Sequence, residues 1–210
     1  MLYSFQLVFN LVIPDHDADA FKSPPNPNLR SGFFDKAVGI CFGGFSRWDG
    51  QYFLHIAEYG YTHENTLAFF PLYPIVVRMI ADMLMVPLHF LLNYHSVLIL
   101  SSFIINWFLF VNTCKIFYEL SKSVLQDCNL AYMSTVLFCF NPASIFFSAS
   151  YSESIFSFCT LSALLNYEKG GGYVAPILFG LGGAARSNGL INLGFVIYHK
   201  LRHGAAYYYG

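Results

Sequence analysis

Charge is the first thing this sequence lacks. Asp, Glu, Lys and Arg make up 11% of its 210 residues, where soluble domains carry about 25%. With 56% hydrophobic and 19% aromatic residues, the deficit points to lipid as the solvent. A net charge of -1 supplies no basic field to gather nucleic acid, which excludes that class of partner. Cysteine is sparse and unpaired in pattern. Cys41, Cys114, Cys128, Cys139 and Cys159 are odd in number and form no C-x-x-C, so neither a disulfide framework nor a zinc site follows. Cys139 and Cys159 lie in apolar runs, where a buried thiol is ordinary. G-x-S-x-G, H-E-x-x-H and Walker sequences are missing, which removes support for the common soluble hydrolase and nucleotide-binding classes. No repeat at a solenoid period occurs.

What the chain does have is long stretches without charge. Phe90 to Cys114 and Cys128 to Ser152 are each 25 residues free of Asp, Glu, Lys and Arg, and about 20 apolar residues suffice to cross a bilayer. Both are read as spans. Met1 to Pro14 reads as the far end of a first transmembrane helix rather than a signal peptide, because no charged n-region opens it. Ser154 to Tyr167 is short for a span, and Arg186 interrupts Gly170 to His199. Phe69 to Val86, with Pro71, Pro74, Arg78 and Asp82, fits the interface better than lipid. The expectation is an all-α bundle of four to six passes: one membrane domain over 1–210, a polar loop over 15–68 and transmembrane helices within 90–199. Asp15 to Glu64 holds seven of the twelve acids and four of the eleven bases. Lys115 and Lys122 mark the loop between the two spans as cytoplasmic, and the polar loop as lumenal by contrast.

Three constellations carry chemistry. Ser46 to Pro74 begins with Arg47, Trp48 and Asp49 and continues as an expected helix from Trp48 to Gly60. At 100° per residue, Trp48, Tyr52, Phe53, Ile56 and Tyr59 share one face, and Gln51, His55 and Glu58 gather on another. Such a helix lies in the interface, with Asp49 projecting toward its apolar side. Asp49 then reads either as a desolvated carboxylate paired with Arg47, or as the helix N-cap. The second constellation, "PDHDADAF", places Asp15, His16, Asp17 and Asp19 within five residues. It reads as a divalent-cation site or as a solvated helix exit. The third, "GLGGAARSNGL", imitates a dinucleotide fingerprint but lacks a strand before it and an acid about 20 residues after it. Small residues there suit close helix packing, as Pro142 and Gly182-Gly183 suit bends or close contacts. Arg186 and the isolated Glu153 are costly in an apolar setting. They read as functional groups or as a structural pair.

Taken in order, "LVFNLVIPDHDADAF", "RWDGQYFLHIAEYGY", "AFFPLYP", "FNPASIFFSASYSES" and "ARSNGL" resemble the GPI mannosyltransferase II family of PIG-V type, from Phe5 to about His199. The resemblance implies a GT-C glycosyltransferase of the endoplasmic reticulum membrane, a multi-span bundle with a lumenal active site. It implies transfer of mannose from dolichol-phosphate-mannose to a GPI glycolipid precursor, giving the second, α1,6-linked mannose. Membrane lipids and an accessory subunit are the further partners it admits; no cofactor is implied beyond the donor lipid. Inversion at the anomeric carbon requires a general base. The family's Trp-Asp pair falls on Trp48-Asp49, so Asp49 is the expected base and Asp15 the second choice. Trp48, Arg47, His55, Glu153, Arg186 and Asn188 are the expected substrate contacts, with Arg186 or Arg47 on the phosphate. The chain is under half the usual family length, so a fragment or truncated isoform is expected. The competing readings are a GT-C transferase with another acceptor and an inactive membrane protein.

Overall fold

The computed structural model describes residues 21, 23–24 and 32–209. The expected first span and Asp15 to Asp19 lie outside them. Among the described residues there are helices and turns and no strand. The eight α-helices are α1 (Phe33–Phe42), α2 (Asp49–Tyr59), α3 (Leu72–Leu88), α4 (Tyr94–Leu125), α5 (Cys128–Cys139), α6 (Glu153–Glu168), α7 (Val174–Ala185) and α8 (Leu193–Tyr209). Four 3₁₀ segments intervene at Gly43–Ser46, Glu64–Ala68, Pro142–Phe147 and Ser187–Asn192. The chain divides into two compact units, one ending at Phe108 and regaining Ile145–Tyr151, the other taking the remainder.

In the first unit, α1, α2 and α3 accompany the first half of α4. Phe45, Phe53, Leu54, Ile56, Tyr73, Val77, Val97 and Leu98 are buried there. Asp35 secures the start of α1 by accepting from the Gly32 N–H at 2.7 Å and the Asn93 N–H at 2.8 Å. Burial works against its charge, but those amides outweigh it and hold the carboxyl below its ordinary range. Pro71 and Pro74 open α3 rather than break it. The first four amides of a helix have no intrahelical partner, so a proline costs nothing there. Pro87 sits one residue before the end of the same helix.

In the second unit α4 ends at a left-handed Gln126 (φ 55). Asp127 then caps α5, accepting from Asn129 N at 2.7 Å and Leu130 N at 3.1 Å. Lys115 and Lys122 are exposed residues of α4 itself, not of a loop. The run Cys128 to Ser152 does not form one span. Its helix stops after 12 residues, about 18 Å at 1.5 Å per residue, which is short of a roughly 30 Å hydrocarbon core. The cause is Asn141-Pro142: the residue before a proline is driven out of the α region, and Asn141 Oδ1 instead accepts the Ala143 N–H at 2.8 Å. Among the described residues one helix, α4, is long and apolar enough to cross a bilayer. Helices α6 and α7 meet around Ala163, Ala175 and Phe179.

Candidate active site

The segment Arg47–Asp49 is held by its backbone. Ser46 Oγ donates to Gly43 O at 2.8 Å, closing the 3₁₀ turn. Trp48 then takes φ 54 and ψ -124, a conformation that costs a non-glycine residue about 1–3 kcal/mol. The neighbours enforce it. Gly50 N donates to Arg47 O and Gln51 N to Trp48 O, both at 3.0 Å. Gln51 Nε2 reaches back to Ser46 O at 2.8 Å, and Tyr151 Oη donates to Arg47 O at 3.0 Å. Ser150 N donates to Phe45 O at 2.8 Å. Gly50 is buried in this crossing, where a Cβ would sit 3.4 Å from both Phe45 O and Ser150 Cβ. The turn is a rigid mount.

Its side chains face outward. Trp48 is 61% exposed and Asp49 is exposed at the first position of α2. Asp49 is therefore not the N-cap. Trp48 occupies that position without a side-chain capping bond, because the clamped Ser46 and Arg47 carbonyls place the chain reversal one residue earlier. Nor does Asp49 enter an apolar face. No hydrogen bond or ion pair with another described residue engages its carboxylate, which the positive end of the α2 dipole favours. An exposed carboxylate with no partner among the described residues, beside an exposed indole, can take a proton while the indole stacks a sugar ring.

His55, grouped by the helical wheel with Gln51 and Glu58 away from the aromatic face, is buried. Its Nδ1 meets Ser23 Oγ at 2.8 Å and its Nε2 meets Thr62 Oγ1 at 2.7 Å, while Phe21 packs edge-on against the ring. Helix α2 is covered on more than one side, so a single buried face does not describe it. Burial, aided by His63, pushes the His55 pKa below its usual 6.5, so the folded ring is neutral. The unfolded chain then binds the extra proton. Stability contributed by His55 is complete above pH 6.5 and is lost as pH falls toward the depressed folded value. Amide exchange in α2 should accelerate on acidification below that point. His55→Gln should flatten the response; an unchanged pH profile in that variant would assign the effect elsewhere.

In the second unit Glu153 begins α6 and Arg186 follows the last residue of α7. Arg186 Nη1 and Glu153 Oε1 form a salt bridge, each side chain about a third exposed. The pairing is the structural alternative for these two residues. Glu153 Oε2 is buried with no hydrogen-bond partner. Asn188 is exposed. The glycines around it serve packing: a Cβ on Gly189 would lie 2.4 Å from Gly183 Cα, so the backbones touch as small residues allow. Double replacement separates the roles of the pair. Arg186→Leu alone should lower abundance by leaving Glu153 uncompensated, and adding Glu153→Leu should restore it. Transfer still lost in the stable double variant identifies a substrate contact; recovered transfer identifies a purely structural pair.

Sequence reasoning overlooked Tyr151, Ser150 and Asn106. Asn106 is fully buried in α4 and donates from Nδ2 to Tyr73 Oη at 3.0 Å, to Tyr151 O at 3.1 Å and to Ala149 O. Ser102 Oγ gives its proton to Ile99 O at 2.8 Å, so Ser150 Oγ is the donor in their 2.7 Å contact. An amide in the middle of an apolar span was the available signal. No three His, Cys, Asp or Glu among the described residues are grouped to hold a metal ion.

The family model described as Mannosyltransferase (PIG-V) matches residues 1–208. The chain is 39% identical over 197 residues to GPI mannosyltransferase 2 of Drosophila melanogaster, covering 92% of this chain and 44% of that one. It is 41% identical over 197 residues to GPI alpha-1,6-mannosyltransferase 2 of Rattus norvegicus (94% and 39%). Against the Homo sapiens protein of that name it is 38% identical over 195 residues (93% and 39%). The chain thus spans less than half the length of these relatives. No solved structure matches.

Proposed function

Because the chain belongs to the PIG-V mannosyltransferase family, we propose that it forms the catalytic part of an enzyme adding the second, α1,6-linked mannose to a GPI-anchor precursor. The donor is dolichol-phosphate-mannose, and the setting is a multi-span GT-C bundle of the endoplasmic reticulum membrane with its active site at the lumenal face. One observation carries the reading: a rigid, strained turn presents an exposed Trp48 beside an exposed Asp49 that has no competing partner among the described residues. Asp49 Oδ takes the proton of the acceptor hydroxyl as that oxygen attacks the anomeric carbon. The carbon–oxygen bond to phosphate breaks, its electron pair leaves with dolichol phosphate, and configuration inverts. A cation such as Arg47 stabilises the departing phosphate. The test places this chain over the matching segment of the rat relative, in cells lacking that relative. Conversion of an accumulated one-mannose precursor to a two-mannose one supports the proposal. Growth of a different glycolipid, with the one-mannose precursor unchanged, favours a GT-C transferase with another acceptor.

Orientation gives a separate expectation. Lys115 and Lys122 lie toward the end of α4, so the positive-inside bias puts that end in the cytoplasm and the start of α4 opposite. In a Cys128→Ser background, Asn28→Cys should be protected from a membrane-impermeant maleimide in sealed microsomes and labelled once they are opened. Labelling of intact microsomes would reverse the orientation.

A further inference from the structure

We propose that Tyr151 is a positioning residue for Asp49, an inference that rests on Asp49 being the general base. Tyr151 lies 104 positions from Arg47 in sequence, yet its hydroxyl donates to the Arg47 carbonyl at 3.0 Å. That carbonyl also accepts the Gly50 amide at 3.0 Å. The two donors fix the peptide immediately before the strained Trp48, whose φ of 54 sets the direction in which Asp49 leaves the turn. Tyr151 is itself immobilised at both ends. Its N–H donates to Ala149 O at 2.7 Å, its carbonyl accepts from Asn106 at 3.1 Å, and its ring stacks on Phe146 at 5.6 Å. An aromatic side chain with two rotatable bonds, pinned at its base, is a stiff strut. Its hydroxyl is placed to transmit the position of the 149–151 loop to the carboxylate without touching substrate. Loss of the hydroxyl removes the Tyr151 bond to Arg47 O, and with it the tie from the 149–151 loop to this peptide. The peptide can then rotate toward an unstrained Trp48, and Asp49 moves off the line to the acceptor hydroxyl. Displacement of about 1 Å at a reacting group lowers rates by up to 10²-fold.

Tyr151→Phe retains the ring stack and both backbone bonds, so folding is preserved and membrane abundance should match the parent. Transfer is measured in microsomes carrying the grafted chain, with labelled dolichol-phosphate-mannose and a one-mannose GPI precursor. The expected result is a kcat about 10-fold lower, with KM for the precursor changed less than about twofold. In the Asp49→Asn background the same change should lower the residual rate less than about twofold, because the group it positions is already gone. An unaltered kcat in Tyr151→Phe overturns the inference while leaving the role of Asp49 intact. A further 10-fold loss in Asp49→Asn also overturns it, since Tyr151 would then act independently. Full activity of Asp49→Asn alone removes the base assignment itself, and with it this role for Tyr151.

Discussion

Asp49→Asn should abolish mannosyl transfer, by about 10²-fold or more, with protein abundance unchanged. The structure makes this substitution more telling than the sequence did. A capping role would have given Asp49 a structural reason to exist, but Trp48 holds the cap position and makes no side-chain cap bond. Asn at the first helical position keeps the shape of the side chain and forfeits only the interaction of a full charge with the helix dipole, worth about 0.3–1 kcal/mol. A change that small does not unfold a turn secured by Arg47, Gly50, Gln51 and Tyr151. Loss of transfer with normal abundance therefore reports chemistry. Transfer rates measured side by side in microsomes decide it, and an Asp49→Asn rate equal to the parent's would remove Asp49 from the mechanism.

The second large effect is on stability and belongs to Asn106→Leu. Leu fits the volume but removes Nδ2, whose two N–H groups are shared among Ala149 O, Tyr151 O and Tyr73 Oη. Each of the two buried N–H bonds lost costs about 1–3 kcal/mol. One term offsets this: Asn106 Oδ1 is itself buried without a hydrogen-bond partner, and Leu relieves it. The net expectation is about 2–5 kcal/mol, a fall of about 5–15 °C in melting midpoint for a chain of this size. Thermal unfolding in detergent measures it. A midpoint within about 2 °C of the parent would mean that the loop carrying Tyr151 is held by something other than Asn106.

The residues differ in how legible they were. Apolar runs located α4, and Gly182-Gly183 and Pro142 marked a close contact and a break, because these follow from local sterics. The Cys128 to Ser152 run was read as one span because its lack of charge was given more weight than Pro142, and the helix in fact stops at Cys139. His55 was grouped with Gln51 and Glu58 on the face away from the aromatic one, but Thr62 and the more distant Ser23 and Phe21 converge on its ring and bury it. The Trp48-Asp49 pair was visible through the family resemblance. Its mount was only partly so: the bonds within Gly43–Gln51 are local, but those from Ser150 and Tyr151 come from about 100 residues away, and pairing across such separations leaves no local pattern.

The most direct measurement of the central claim is the product made by this chain in place of the matching segment of the rat relative. Microsomes are given labelled dolichol-phosphate-mannose and the one-mannose GPI precursor, and the new glycolipid is digested with an α1,6-specific mannosidase. The expected result is a two-mannose product whose label is released by that enzyme, formed by the parent and not by Asp49→Asn. A labelled product resistant to the α1,6-specific enzyme, or one formed equally by Asp49→Asn, would contradict it.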